Sequence, residues 1–178
     1  MEVTIEITDY CPNNCDYCST NATFHGMPLN IDVIKKFLWD FRMEYGAPSR
    51  INISGGEPVS HPDFYEILKL CKSYTENVWL YTNMITQIMY NTDIVKEIKV
   101  EANVCLVPGR EVYIPKNADK VHLLQLVKQG RAKDMQPAKF HVSGNMLDGN
   151  GCGSCKNCKH ILLQANGKIV KAPCKKDY

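Results

Sequence analysis

Val3-Thr4-Ile5-Glu6-Ile7-Thr8-Asp9-Tyr10-Cys11-Pro12-Asn13-Asn14-Cys15-Asp16-Tyr17-Cys18 decides how this chain is read. Val3 to Thr8 alternates β-branched with polar residues, the period of a strand with one buried face. Asp9 to Asn14 is rich in turn formers, so the strand runs into a loop. That loop holds three cysteines. Outward from here, strands and helices alternate. Asn30 or Asp32 caps a helix with Ile31, Ile34, Phe37, Leu38 and Phe41 on one stripe, ending near Gly46 and Pro48. Arg50 to Ser54 reads as a second strand and runs into Gly55-Gly56-Glu57-Pro58. His61-Pro62-Asp63 opens a second helix reaching about Tyr74, and Asn77 to Thr82 is a third strand. A short helix is expected over about Thr86 to Asn91, and a fourth strand over Ile98 to Val107. Val121 to Val127 reads as a strand, with a helix as the alternative, and Val112 to Pro115 is ambiguous.

Strand, helix, strand, helix, strand is the pattern of a parallel α/β sheet. Five or six strands are too few to close an eight-fold barrel. The expected fold is therefore α/β, a partial (βα) barrel of about five or six parallel strands with a small cysteine-rich C-terminal cap. Composition changes from Gly144, where glycines surround a second group of cysteines. The expected division is residues 1–138 for the barrel and 139–178 for the cysteine-rich region.

The chain has 178 residues, with 21 Lys plus Arg against 19 Asp plus Glu, a formal charge of +2. That balance offers no electrostatic footprint for nucleic acid or an anionic membrane. No apolar run approaches the roughly 18 residues of a membrane span. Met1 to Glu6 lacks the basic and apolar regions of a signal peptide. A cytoplasmic protein is expected.

Nine cysteines are present. Cys11, Cys15 and Cys18 form one group; Cys152, Cys155 and Cys158 form another, with Cys174 shortly after. Without an export signal, such spacing points to metal ligation in a reducing compartment and not to disulfides. Three thiolates on one loop can hold three irons of a 4Fe–4S cluster and leave the fourth open to a small chelating molecule. Tyr17 stands beside the last of them and could lie over whatever binds. The alternative is a zinc site completed by a distant residue such as His25.

Cys11-x3-Cys15-x-Tyr17-Cys18 after a first strand resembles the signature of the radical S-adenosylmethionine (radical SAM) superfamily. Gly55-Gly56-Glu57-Pro58 after a second strand is similar to its second motif. Thr82-Asn83 after a third resembles its frequent Thr-Asn-Gly, with Met84 in place of glycine. The resemblance covers about residues 1 to 140. It implies an enzyme in which S-adenosylmethionine chelates the open iron. Reductive cleavage then gives a 5′-deoxyadenosyl radical, which abstracts hydrogen from a substrate. Carried over, Cys11, Cys15 and Cys18 hold the cluster. Gly55, Gly56 and Glu57, followed by Pro58, meet the amino group of the cofactor, and Asn83 belongs to the same binding set. Two glycines let a backbone come close to a ligand. Glu101, Asn103 and Arg110 are candidates for the ribose and adenine contacts made by later strands. Gly130-Arg131-Ala132 resembles a motif that follows a late strand in some members.

Cys152-x2-Cys155-x2-Cys158 precedes two apolar runs separated by Asn166-Gly167, a hairpin signal that would return Cys174 towards Cys158. The arrangement resembles the auxiliary-cluster regions called SPASM or twitch domains, which implies a second 4Fe–4S cluster on Cys152, Cys155, Cys158 and Cys174. A tetrahedral zinc site from the same thiolates is the alternative. It also resembles the tail of the GTP cyclases of molybdenum-cofactor synthesis, although the last cysteine gap is longer here and the terminal Gly-Gly is absent.

The resemblance implies a reductant of flavodoxin or ferredoxin type. The expected substrate is a peptide or protein, because a short barrel encloses its active face less, or a nucleotide-like metabolite. The alternatives are a glycyl-radical activating enzyme, or an iron–sulfur electron-transfer protein without radical chemistry. Cys71 and Cys105 read as buried free thiols, which behave as small hydrophobes. His61 reads as a packing residue at a helix entry.

Overall fold

The computed structural model describes residues 1–84, 96–126, 130–136 and 159–171. Strand β1 spans Glu2–Glu6, helix α1 Ile31–Tyr45, β2 Arg50–Ser54, helix α2 Phe64–Lys72 and β3 Val78–Thr82. Then come β4 over Lys99–Leu106, β5 over Lys120–Gln125, β6 over His160–Leu163 and β7 over Ile169–Lys171. One seven-stranded sheet runs in the order β5-β4-β3-β2-β1-β6-β7. All pairings are parallel except the last, β6 with β7. The sheet is open, the partial barrel expected from the alternation of elements.

The local reasons for these elements are those read from the residues. Asn30 caps α1, its side chain accepting from the Asp32 amide, and Gly46 ends it. Ile34, Phe37, Leu38 and Phe41 are the buried stripe of α1; Phe64, Ile67, Leu68 and Cys71 are that of α2. Both stripes pack on one face of the sheet, against Val3, Ile5, Ile51, Ile53, Val78, Leu80, Val100 and Ala102. Fully burying one large aliphatic side chain contributes about 1.5–3 kcal/mol, so this layer is the main source of stability. Cys71 belongs to it, and burial pushes its thiol up to about 12.

The opposite face is polar, which is why the strands alternate where parallel strands are usually apolar on both sides. Arg50 Nε donates to Asn52 Oδ1 at 2.6 Å, and Nη2 donates to Tyr81 Oη and Glu101 Oε2, each at 3.0 Å. Lys120 and His122 approach the same carboxylate at 3.5 and 3.2 Å. Asn52 Nδ2 donates to Thr4 Oγ1 at 3.2 Å, and Thr4 Oγ1 bonds His160 Nε2 at 2.8 Å. This polar row therefore links all six parallel strands. Burial lowers the basicity of both histidines.

The strand expected over Val121 to Val127 forms as far as Gln125, with Val127 outside the described residues, and the ambiguous Val112 to Pro115 has neither helix nor strand. The Asn166-Gly167 turn forms: Gly167 has φ of 83°, and β6 returns as β7. The hairpin lies in the same sheet as the barrel strands, beside β1. The helix expected over Thr86 to Asn91 lies outside the described residues, as do Cys152, Cys155, Cys158 and Cys174.

Candidate active site

The cysteine loop begins where β1 ends and folds back along it. Cys11 N–H donates to Thr23 O at 2.8 Å, Thr23 N–H to Asp9 O at 3.1 Å, and Leu29 N–H to Ile7 O at 2.8 Å. These bonds fix both ends of the loop while leaving its tip without regular structure. Cys11 is buried, Cys15 and Cys18 are half-buried, and all three are free thiols. Burial, more than any neighbouring charge, raises the Cys11 thiol above its ordinary range.

The loop after β2 lies directly on this backbone. Gly56 N–H donates to Thr8 O at 2.6 Å and Glu57 N–H to Tyr10 O at 2.8 Å. A Cβ on Gly56 would sit 2.2 Å from Tyr10 O. The close approach that the paired glycines permit is thus an approach to the cysteine loop. Glu57 is turned inward and is 1% exposed. Thr82 Oγ1 donates to its Oε2 at 2.8 Å and accepts from the Met84 N–H at 3.0 Å. Pro58 starts a short 3-10 turn and is buried. Met84, standing where the resemblance has glycine, keeps a left-handed φ of 57°. That conformation costs an ordinary residue about 1–2 kcal/mol.

A cavity of about 290 Å³ opens at this end of the sheet. Cys11, Cys15 and Cys18 line it together with Tyr17, Gly55, Gly56, Asn83 and Asn103. Burial, more than the adjacent Cys15 thiol, pushes the Tyr17 phenol up. Arg110 lies over the Tyr17 ring at 5.2 Å and pairs with Asp16. Glu101 and Pro58 are not brought to the cavity, and Glu57 stands behind its wall. Glu101 is 2% exposed and is held by the ion pairs of the polar face. A smaller cavity of about 130 Å³, lined by Glu6, Asp9 and Gln164, shares Thr20, Gly55 and Gly56 with the first.

Two residues passed over in the sequence belong here. Cys105 lines the large cavity, and burial with the nearby Cys15 and Cys18 thiols pushes its thiol up to about 11. The signal was available, because Cys105 follows Asn103 on the same face of β4. Tyr113, from the ambiguous segment after β4, also lines it; nothing in the local sequence marked it.

The donor set suits a multi-iron group. Cys11, Cys15 and Cys18 line one cavity, and three thiols are the donor number that a 4Fe–4S cluster with one open iron takes. Among the described residues, no helix is long and apolar enough to cross a membrane.

Comparison with known proteins agrees with this geometry. Residues 5–108 match the model of the Radical SAM superfamily. A PqqA peptide cyclase of Bradyrhizobium diazoefficiens is 38% identical over 88 residues, 48% of this chain and 22% of that protein. A 7,8-dihydro-6-hydroxymethylpterin dimethyltransferase of Methanocaldococcus jannaschii is 31% identical over 98 residues, 53% of this chain and 19% of that protein. The chain thus matches about a fifth of the length of these relatives. The crystal structure of BtrN in complex with AdoMet and 2-DOIA superposes with a TM-score of 0.58 at 16% identity. It covers 95% of this chain and 71% of that one, so the two share a fold. With the family match spanning more than half of the chain, and the three motifs gathered at the C-terminal ends of successive strands, this protein belongs to the radical SAM superfamily of enzymes.

Proposed function

We propose that Cys11, Cys15 and Cys18 hold a 4Fe–4S cluster, that S-adenosylmethionine occupies the cavity beside it, and that the chain acts on a peptide or protein substrate. The observation that carries this reading is the convergence of three free thiols, Gly55-Gly56, Asn83 and Asn103 on one cavity. At about 290 Å³ it lies at the small end of the range for ligand pockets. When bound, the reduced cluster supplies the electron that cleaves S-adenosylmethionine to the radical that takes hydrogen from substrate. The protein contributes binding and orientation. Gly55 and Gly56 keep the wall free of side chains. Asn83, just after β3, and Asn103, in β4, offer side-chain amides to the cavity. Tyr17 presents a neutral ring at the mouth. Glu57 acts from behind, through Thr82.

The peptide cyclase relatives support a peptide as substrate, and the adjoining small cavity gives a substrate room to approach; a nucleotide-like metabolite is the competing class. A flavodoxin or ferredoxin is the proposed electron donor, and Cys152, Cys155, Cys158 and Cys174 are proposed to hold a second 4Fe–4S cluster, against zinc. The test is anaerobic reconstitution with iron and sulfide, followed by S-adenosylmethionine and a strong reductant. Formation of 5′-deoxyadenosine, lost in Cys15→Ala, is expected. A sample with a full cluster that makes none overturns the reading. Iron and zinc content of the same sample assigns the second centre.

A further inference from the structure

The backbone at the tip of the cysteine loop is gripped by Arg131, while Arg110 meets the side chains of Asp16 and Tyr17. Arg131 Nε donates to Cys15 O at 2.8 Å, and its Nη2 donates to Ala22 O at 2.7 Å. Its backbone N–H donates to Cys18 O at 2.9 Å. Three donors of a single residue thus meet three carbonyls of a segment that has no helix or strand to order it. The neighbouring glycine is fitted to this approach. Gly130 has φ of 54°, and a Cβ there would lie 2.5 Å from Cys18 O and 2.6 Å from Ser19 O. A guanidinium presents its donors in a rigid plane and stays charged at any working pH, so it can grip two carbonyls at once; an ammonium is a single point.

We propose that Arg131 is a positioning residue for the cluster: it holds the Cys15–Ala22 backbone so that Cys15 and Cys18 keep the spacing a 4Fe–4S cluster needs. The inference rests on the cluster reading of the cysteine triplet. Net charge and hydrogen bonding around a cluster set its potential and its retention. Arg131 lies outside the main apolar core, so its effect should fall on the loop before it falls on the fold.

The test uses the full chain with Arg131→Lys and Arg131→Met, reconstituted anaerobically beside wild type. Two quantities are read. One is the rate at which an iron chelator strips the cluster. The other is the electron paramagnetic resonance signal of the reduced protein before and after S-adenosylmethionine, since the signal that responds to the cofactor reports the cluster with the open iron. Removing an outer partner of a metal site commonly costs 10–100-fold in metal affinity. Stripping at least about tenfold faster in both variants is expected, together with a broadened response to the cofactor, while the cluster-free chains unfold near the wild-type midpoint. Variants that match loaded wild type in both readouts, or that differ only in unfolding midpoint, overturn this inference alone. Wild type that takes up no iron on Cys11, Cys15 and Cys18 overturns the cluster reading and the inference with it. If Arg131→Met does not fold, Arg131→Lys carries the test.

Discussion

Replacing Gly56 by alanine puts one methyl group where the cysteine loop already stands. The added Cβ would lie 2.2 Å from Tyr10 O, 2.7 Å from Tyr10 C and 3.1 Å from Asp9 C, all backbone atoms. No side chain can turn aside to make room. Restoring an ordinary contact opens the two loops by about 1 Å, at the 1–3 kcal/mol typical of an inserted methyl group. The opening also strains the Glu57 N–H to Tyr10 O bond of 2.8 Å, and Tyr10 is covalently joined to Cys11. A matched control exists at the end of α1. Gly46 has φ of 80° and ψ of −169°, a region essentially reserved for glycine, yet a Cβ there meets nothing within 4 Å. Gly46→Ala therefore costs about 1–3 kcal/mol by backbone strain alone. In a chain of this size either substitution should lower the thermal midpoint by roughly 2–12 °C. Only Gly56→Ala should disturb the site, and a displacement of about 1 Å there costs on the order of 10²-fold in rate. The assay pairs calorimetric unfolding with 5′-deoxyadenosine formation by reconstituted protein. If Gly56→Ala and Gly46→Ala lose stability alike and retain equal activity per cluster, the account of the glycine pair is wrong.

Arg50→Met takes from the buried Glu101 its charge-assisted hydrogen bond but leaves Lys120 and His122 beside it, and should cost about 1–3 kcal/mol by urea unfolding. Thr82→Val removes the donor to Glu57 Oε2 and the acceptor for Met84 N–H; a loss of about 1–3 kcal/mol is expected, with weaker S-adenosylmethionine binding by calorimetry. His160 is made less basic mainly by burial, from an ordinary 6.5. Below that pH the unfolded chain takes up a proton that the folded chain resists. Stability from this source is therefore full above 6.5 and falls as the pH drops below it, and His160→Gln should make this limb shallower in urea midpoints measured across the range, with His122 contributing what remains.

The fold was legible because its signals are local and agree with one another. Asn30 and Gly46 bracket α1, and the alternation in β1 and β2 separates an apolar face from a polar one. The Asn166-Gly167 turn announced its hairpin, but its partner did not, because pairing of β6 with β1 is a contact between chain ends that no local pattern encodes. The cavity's cysteines and glycines could be read from their order after successive strands. Glu101 was misplaced: it stands near the start of β4, away from the strand end where Asn103 and Cys105 line the cavity, and Arg50, Lys120 and His122 claim it. Cys105 has the opposite history, since an isolated cysteine among apolar neighbours looks like filler until its face is known. Gly130-Arg131-Ala132 could be read as resembling a motif, but the grip of Arg131 on the cysteine loop is made by hydrogen bonds that span 116 and 109 positions, which no local pattern encodes.

The pairing of β6 with β1 also sets an order of events. Thr4 meets His160 across 156 positions of chain, so the strand that carries the cysteine loop is completed by residues made long after it. Until then β1 has β2 on one side and an open row of amides and carbonyls on the other. Exposed strand edges invite pairing with foreign chains, and such distant contacts form slowly. On the proposed cluster reading, the loop that would take up iron follows a strand whose second neighbour is made late. Rapid overproduction should therefore favour aggregation over metal loading, and slow expression with ample iron should favour the reverse.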